Sequence, residues 1–325
     1  MEMTPIQPVI AIHGGAGTLT RAAIEPAQET AYHAALGDIL AEAQQALSDG
    51  AAALDVVGLA VQRLEDNPLF NAGLGSVFTR AATHELDAAV MDGATLRAGA
   101  VAGVSHIRNP VLAARAVLDQ GEHILMAGHG AEALARELGL EMVEPLYFST
   151  AFRREQLRRV QGTTTSVLDH DGGAPLDEDR KFGTVGAVAL DAHGNLAAAT
   201  STGGMTNKRP GRISDSAMIG TGTYADNRTA AISCTGTGEA FIRIAASHDL
   251  CARMAYAGAT LDEAAHHIVM ERLPDVGGSG GLIAVDAKGN VALPFNTEGM
   301  YRGYARVGEA LHTAIFAHPG DASSS

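Results

Sequence analysis

The chain has 325 residues, of which 46% are hydrophobic and only 4% aromatic, so we expect a globular protein with a core of small and aliphatic side chains. Its net charge of -14, with no run of Lys or Arg, argues against nucleic acid and anionic membrane surfaces, because both need basic patches. The chain has no apolar stretch of membrane-span length and no signal-peptide pattern, and its two cysteines cannot build a disulfide framework. We therefore expect a soluble, cytoplasmic protein without membrane partners.

The first half of the chain alternates extended and helical patterns. Residues 8–12 predict a buried strand that ends in a glycine-rich loop at 13–17. Further on, the patterns predict helices over 28–47, 52–65, 109–118, 131–138 and 153–159, with hairpin strands over 85–91 and 95–104. Periodicity weakens and charge rises from 141 to 181, which predicts the single helix over 153–159 and then a mobile linker at about 160–183.

The second half begins with a predicted hairpin. Strands over 184–190 and 196–202 flank turn residues at 191–195. A strand over 230–234, helices over 240–254 and 261–271, and a hairpin pairing 281–286 with 291–295 follow. Because both halves supply hairpins and helices, the pattern predicts an α+β fold with antiparallel sheets covered by helices.

The tetrapeptide Gly183-Thr184-Val185-Gly186 opens the strand that follows the linker. If the bond before Thr184 is cut, its hydroxyl gains an adjacent α-amine, a recognised base for a threonine nucleophile. With a symmetric turn, Thr184 faces Thr202 on the neighbouring strand, whereas a one-residue slip turns Thr202 to the other face. The alternative is that these threonines simply favour a strand.

A glycine-rich connection from Cys234 to Ala240 lies between a predicted strand and a predicted helix. Backbone N–H groups at a helix N-terminus are unpaired, and Gly236 and Gly238 allow an oxyanion to approach them. The Thr235 hydroxyl adds a donor, so the segment suits an oxyanion hole. The alternative is an ordinary turn; a phosphate-binding Walker loop is excluded because no Gly-Lys-Ser/Thr follows.

Opposite charges lie three residues apart at Arg212 and Asp215. The arginine fork can bind a carboxylate and the aspartate an ammonium, which together would hold the α-groups of an amino acid. The alternative is a local surface ion pair. The thirteen histidines show no ligand spacing, so we expect no transition metal.

The run from Gly277 to Gly281 matches the nucleophile elbow of serine esterases. An elbow must follow a strand and open a helix, whereas here Pro274 precedes the run and an apolar strand pattern follows it. The esterase interpretation is therefore disfavoured.

Five motifs together resemble the plant-type asparaginase/isoaspartyl peptidase family of N-terminal-nucleophile hydrolases, and most of all its bacterial isoaspartyl peptidases. They lie in family order at 13–17, 71–75, 183–186, 200–204 and 235–239, and the similarity runs from about residue 9 to 301. The resemblance implies an αββα four-layer sandwich with two antiparallel sheets between helical layers. It also implies a zymogen whose autocatalytic cleavage gives an N-terminal subunit, 1–183, and a C-terminal subunit, 184–325, that remain one folded domain. These two-chain protomers would pair as a dimer, which makes a heterotetramer.

The resemblance also assigns roles to residues of this sequence. It implies that Thr184 is the nucleophile, that Thr202 orients it, and that Asn71 lies nearby. It implies an oxyanion hole at Thr235 and Gly236, substrate binding by Arg212 and Asp215, and a pocket lined by Gly238. No catalytic cofactor is implied. A structural sodium ion is expected, held mainly by the backbone carbonyls of Leu64, Glu65, Asn67, Phe70, Ala72 and Leu74.

The activity that the resemblance implies is hydrolysis of L-asparagine and β-aspartyl dipeptides through an acyl-enzyme, releasing L-aspartate. Two alternatives stay open. Glycosylasparaginases share the fold and the threonine mechanism, although they lack the His-Gly-Gly-Ala-Gly start at 13–17. A non-catalytic amino-acid-binding protein could keep Arg212 and Asp215 without any chain cleavage.

Overall fold

The computed structural model describes residues 6–17, 24–160 and 183–317, so most of the predicted linker lies outside the described residues. The strands in these ranges are β1 Val9–Gly17, β2 Leu86–Asp92, β3 Ala98–Val104, β4 Leu125–Ala127, β5 Thr184–Leu190, β6 Leu196–Thr202, β7 Thr223–Ala225, β8 Ala230–Gly236, β9 Gly280–Asp286, β10 Val291–Ala292, β11 Gly299–Arg306 and β12 His312–Phe316.

The α-helices in these ranges are α1 Pro26–Ser48, α2 Ala53–Glu65, α3 Pro110–Gln120, α4 Gly128–Glu137, α5 Ala151–Val160, α6 Gly238–Ile244, α7 Ala246–Ala257, α8 Leu261–His266 and α9 Leu273–Asp275. Short 3₁₀ turns cover Pro145–Phe148 and Asp215–Ala217, and a π-helical segment covers His267–Arg272. Among the helices described, none is both long and apolar enough to cross a membrane.

The described strands form two sheets. One has eight strands in the order β12-β11-β1-β5-β6-β2-β3-β4, and the other has four in the order β10-β9-β8-β7. All pairs are antiparallel except β3 with β4, which run parallel. Helix α3 connects these two strands, as a parallel pair requires a crossover. The large sheet is therefore mixed at this edge, where we expected only antiparallel pairing.

Side-chain alternation along β5 places the strand between two cores. Val185, Ala187 and Ala189 belong to the core shared with α1, α2 and α3, whereas Val188 and Leu190 belong to the core between the sheets. A third core lies between the small sheet and helices α6, α7 and α8. The layers are thus helices, sheet, sheet, helices, and the expected α+β sandwich is confirmed.

The glycine-rich run at 13–17 is a strand and not the loop we predicted. It continues β1 because Tyr301, Met300 and Gly299 of β11 pair with it beyond a register shift at Gly14. Strand β11 and its neighbour β12 were not predicted from the sequence.

The helix predicted over 240–254 is two helices. Ala245 separates them with a left-handed backbone, φ 48°, which interrupts the helical hydrogen bonds. The helix predicted over 261–271 is α-helical only to His266 and then continues as the π segment.

We expect Gly186 to tolerate no side chain, because a Cβ atom there would overlap Ser233 Oγ and lie 2.5 Å from His13 Nε2. Gly186→Ala should lower the free energy of unfolding by about 1–3 kcal/mol through overpacking. Urea unfolding in the uncleavable Thr184→Ala background measures this on a single chain. The matched control is Gly58→Ala inside α2, where a Cβ meets nothing within 4 Å. It should raise stability by about 0.5–1 kcal/mol. If Gly186→Ala and Gly58→Ala changed the free energy of unfolding equally, the close packing of Ser233 and His13 against Gly186 would be contradicted.

Candidate active site

Thr184 begins β5 and faces Thr202 of β6. The pairing runs from Thr184 with Thr202 to Leu190 with Leu196, which confirms the register expected from the symmetric turn. The Thr184 hydroxyl donates a hydrogen bond to Thr202 Oγ1 at 3.3 Å, and both residues are buried. The strand pair therefore brings the two hydroxyls together without help from a loop.

Thr202 links the Thr184 hydroxyl to the peptide bond that precedes it. Its Oγ1 accepts from Thr184 and from the backbone N–H of Gly204 at 3.0 Å. Its own proton is donated to the carbonyl oxygen of Gly183 at 3.2 Å. The hydroxyl thus orients Thr184 and polarises the carbonyl group of the Gly183–Thr184 bond.

A chain of buried polar side chains lies between the two sheets beneath Thr184. His13 Nε2 is 2.8 Å from Ser233 Oγ, which is 2.8 Å from Thr200 Oγ1, and Thr223 donates to Thr200 at 2.7 Å. Burial lowers the pKa of His13 to about 3, opposed in part by the Thr184 backbone, so the ring is neutral at neutral pH. The sequence interpretation missed this chain. The sequence signal for this chain was the presence of hydroxyl residues, such as Thr200 and Ser233, on strand faces that are otherwise apolar.

The structure brings most of the predicted catalytic and substrate-binding residues around one small cavity. Its lining includes Gly183, Thr184, Thr202, Arg212, Asp215 and Gly236, together with Gly204, Met205 and Ser214. Gly238 borders the same groups, since a Cβ there would lie 2.7 Å from Asp215 Oδ1 and 2.8 Å from Arg212 Nη2. Glycine at 238 therefore leaves room beside both charges.

The Arg212 side chain forms its ion pair with Glu239 and not with Asp215. Nε and Nη2 donate to the two carboxylate oxygens of Glu239 at 2.8 and 2.9 Å. This bidentate pair uses one edge of the fork that we expected to bind a ligand carboxylate. A ligand carboxylate at Arg212 must therefore share the guanidinium with Glu239 or displace it. The sequence offered no sign that Glu239 takes this place.

Asp215 lies buried at the end of the cavity with an unused acceptor. Among the described residues, its Oδ2 has no hydrogen-bond partner. Burial raises the pKa of Asp215 to about 7, although Arg212 acts in the opposite direction. A buried carboxylate with a free oxygen is suited to receive an ammonium group, because ionisation then gains a partner.

Asp87 of β2 fixes the loop that carries Arg212 and Asp215. Its two carboxylate oxygens accept from the backbone N–H groups of Ser214 at 2.8 Å and Gly103 at 2.9 Å. The residue is fully buried. The sequence interpretation gave it no role, although an acidic residue within an apolar strand pattern was a signal.

The predicted oxyanion-hole residues lie at the end of β8. Thr235 Oγ1 accepts from the backbone N–H of Ala16 at 3.1 Å, which leaves the hydroxyl proton available for donation. Gly236 has φ 141°, and a Cβ there would lie 2.5 Å from Gly280 Cα, so only glycine fits. Position and chemistry of both residues suit the predicted role.

Asn71 contacts the residue before Thr184. A Cβ at Gly183 would lie 2.6 Å from Asn71 Cβ. The Asn71 amide donates to the Gly204 carbonyl at 2.7 Å and accepts from Val77 N–H at 2.9 Å. Asn71 therefore positions the Gly204 backbone that in turn donates to Thr202.

The loop predicted to hold sodium folds back on α2. A Cβ at Gly75 would lie 2.6 Å from the Pro68 carbonyl oxygen and 2.8 Å from that of Phe70, and Leu74 N–H donates to the Glu65 carbonyl at 2.7 Å. The Pro68 and Phe70 carbonyl oxygens thus lie beside Gly75, and the Glu65 carbonyl oxygen lies beside Leu74; Glu65 and Phe70 are two of the six predicted ligands. Such oxygens suit a hard cation, and each retains a second lone pair.

Comparison with known proteins gives a consistent set of relatives. A family model described as asparaginase matches residues 6–315. The isoaspartyl peptidase of Escherichia coli (strain K12) is 60% identical, over 96% of this chain and 97% of its own. The isoaspartyl peptidase of Salmonella typhimurium is 58% identical over 95% and 98%. A putative isoaspartyl peptidase/L-asparaginase of Dictyostelium discoideum is 48% identical over 91% and 92%.

The raised pKa of Asp215 predicts a pH-dependent affinity for ammonium-bearing ligands. Below pH 7 the buried carboxyl is protonated, and an ammonium must expel that proton before it pairs. The inhibition constant of L-aspartate should therefore rise about tenfold per pH unit below pH 6. Succinate, which lacks the ammonium, is the control for other titrating groups, and its inhibition constant, calculated for the dianion, should show no such rise. If the inhibition constants of L-aspartate and succinate changed with pH in the same way, Asp215 would not be the group that binds the ammonium.

Proposed function

The chain belongs to the asparaginase family, and we propose that it is an isoaspartyl peptidase and L-asparaginase activated by its own cleavage before Thr184. The observation that carries the proposal is the hydroxyl pair of Thr184 and Thr202. Thr184 donates to Thr202, and Thr202 donates to the Gly183 carbonyl oxygen. The names of the relatives support the substrate class. The same contacts suit two reactions, cleavage of the chain and hydrolysis of substrate.

In the first reaction, the Thr184 hydroxyl oxygen attacks the Gly183 carbonyl carbon, and the Thr184 nitrogen leaves carrying the hydroxyl proton, which converts the amide into an ester. Water then hydrolyses the ester. This gives a carboxylate at Gly183, and the oxygen and a new α-amine remain on Thr184. The products are the subunits 1–183 and 184–325. The hydrogen bond from Thr202 to the Gly183 oxygen supports this step, because it stabilises the charge that develops there.

In the second reaction, the new amine accepts the Thr184 hydroxyl proton, and the oxygen attacks the β-carbonyl of the substrate. Asp215 holds the substrate ammonium and Arg212 its α-carboxylate, with Gly238 leaving space for both. The oxyanion rests on Thr235 and Gly236. Ammonia or an amino acid leaves with a proton, and water hydrolyses the acyl-enzyme to L-aspartate. The free Oδ2 of Asp215 and the donor-ready hydroxyl of Thr235 support these roles.

Three further features belong to the proposal. The carbonyls of Leu64, Glu65, Asn67, Phe70, Ala72 and Leu74 would hold a sodium ion that fixes the loop next to Asn71. The Phe70 carbonyl beside Gly75 and the Glu65 carbonyl beside Leu74, both within this loop, support this ion. The motif resemblance supports a dimer of two-chain protomers. We propose that this dimer works in the cytoplasm and that its other partners are small molecules or dipeptides.

Self-cleavage of the chain distinguishes the proposed enzyme from an amino-acid-binding protein, which needs no cleavage. We expect the purified protein to consist of two fragments whose masses fit residues 1–183 and 184–325, with Thr184 as the new N-terminus. Thr184→Ala should remain one inactive chain, because the nucleophile is lost. Thr184→Ser, which keeps a hydroxyl, is the matched control and should still be cut. Intact mass spectrometry and release of aspartate from L-asparagine check this. Full activity in an uncut chain would refute the mechanism.

Thr235→Val tests the oxyanion hole, since it keeps the shape of the side chain and removes the donor. A donor that acts only in the transition state should change kcat more than KM, and its loss typically costs about 10²–10³ in kcat. The kinetics must be measured on protein already cut before Thr184. Thr235→Ser keeps the hydroxyl and should retain most of kcat. A changed KM with an almost unchanged kcat would make Thr235 a pocket residue only.

A further inference from the structure

A second cavity lies beside the Gly183–Thr184 bond, and its volume is about 320 Å³. That volume is within the range of small-molecule sites. Gly183 and Asn71 form part of its wall, and Arg153, Tyr32, Tyr301 and Phe152 are among its other lining residues. None of these last four residues lines the small cavity that contains Asp215. The function proposed above leaves this second cavity without an occupant.

Arg153 is a buried cation, and none of the described residues supplies it with a counter-ion. Its side chain is on α5, and only 6% of the residue is exposed. Nε donates to the Gly75 carbonyl at 2.7 Å and Nη1 to Gln156 Oε1 at 3.1 Å. Across the described residues, no carboxylate forms an ion pair with it, and no acceptor is bonded to Nη2. Burying an uncompensated charge is costly, so such a group is expected to serve an anionic ligand.

Three further lining residues, Tyr32, Tyr301 and Phe152, are aromatic. The rings of Tyr32 and Tyr301 stack with centroids 4.0 Å apart, and the Tyr32 hydroxyl is already used, because it donates to the Leu69 carbonyl at 3.2 Å. Phe152 is 58% exposed, and its ring centroid lies 5.3 Å from the Arg153 guanidinium. An anionic ligand with an apolar side chain fits this combination of one cation and several rings.

Gly183 lines both cavities and lies between them. Cleavage before Thr184 turns Gly183 into a free chain end, so its departure would join the two cavities with Thr184 at their junction. A β-aspartyl dipeptide has matching parts: an aspartyl half with α-groups, a scissile amide, and a leaving amino acid with its own α-carboxylate.

We propose that the second cavity is the subsite for the leaving amino acid and that Arg153 binds its α-carboxylate. This inference rests on the proposed function. Tyr32, Tyr301 and Phe152 contact the side chain of the leaving residue, so dipeptides with a leucine or an aromatic residue there are favoured. L-Asparagine loses only ammonia and gains nothing from this subsite.

The test compares β-aspartyl-leucine with its C-terminal amide, which lacks the negative charge. The cleaved wild-type protein should prefer the free acid by about 10- to 100-fold in kcat/KM, the size expected for one charge-assisted contact. Arg153→Gln should reduce this ratio to near one. The matched control is Arg154→Gln, which removes the same charge from an exposed neighbour on α5 and should keep the ratio. Because both kcat/KM values are measured on the same preparation, their ratio does not depend on the fraction of the protein that has been cleaved before Thr184.

A ratio near one in the wild type, or an unchanged ratio in Arg153→Gln, would overturn the proposal. Arg153 also holds the Gly75 carbonyl, so Arg153→Lys serves if Arg153→Gln does not fold. The lysine variant keeps the charge but loses the fork, and its ratio should fall by several-fold; an unchanged ratio would again overturn the proposal. L-Asparagine hydrolysis by the wild type is followed in parallel. Its absence together with inactivity on the dipeptide would refute the proposed function, whereas activity without acid preference refutes only the subsite.

Discussion

The antiparallel pairing of β5 with β6 determines how Thr184 and Thr202 meet, and the other groups of the candidate active site lie around that pair. It places Thr184 opposite Thr202, and a shift of one residue would move the Thr202 hydroxyl to the opposite face. The register is fixed because both strands are buried on both sides, so any slip would exchange two packed faces at once. The absence of a side chain at Gly186 leaves the space that His13 of β1 and Ser233 of β8, in the other sheet, occupy. Thr184 is therefore the first residue of a strand that is packed on both faces.

The charges of the site are arranged for a ligand that carries both signs. Asp215 is buried with a free oxygen, and its pKa is raised to about 7 by burial, while Arg212 is held by Glu239. Without a ligand, Asp215 is therefore about half ionised at neutral pH, and Arg212 is paired with Glu239. An incoming ammonium would favour the ionised carboxylate of Asp215, and an incoming carboxylate would share Arg212 with Glu239 or displace it. This arrangement suits a ligand with both α-groups of an amino acid, as the proposed function requires.

The sequence predicted the parts of this structure that have a short-range signal. The hairpin of β5 and β6 followed from its turn residues, and the register followed from the symmetry of that turn. The glycine-rich extension of β1 and strand β11 were missed, because they pair with each other across almost 300 residues and glycine shows no side-chain alternation. Strand β12 was also missed, although it pairs with β11, its neighbour in sequence. The ion pair of Arg212 with Glu239 and the support from Asp87 were missed because they join residues 27 and 127 positions apart. Motif resemblance supplied the roles that we propose for the site residues. The polar chain from His13 to Thr223, and the absence of a counter-ion for Arg153 among the described residues, emerge only from the fold.

In the proposed mechanism, Thr184 carries one aspartyl intermediate whichever amide is cleaved, and the leaving group occupies a separate cavity. Partitioning with hydroxylamine tests this directly, because a shared acyl-enzyme must divide between water and hydroxylamine in one ratio. Cleaved wild-type protein is given either L-asparagine or β-aspartyl-leucine at the same hydroxylamine concentration, and the ratio of β-aspartyl hydroxamate to aspartate is measured. We predict the same ratio from both substrates, although their rates differ. Ratios that change with the leaving group, or no hydroxamate from either substrate, would contradict a common acyl-enzyme at Thr184.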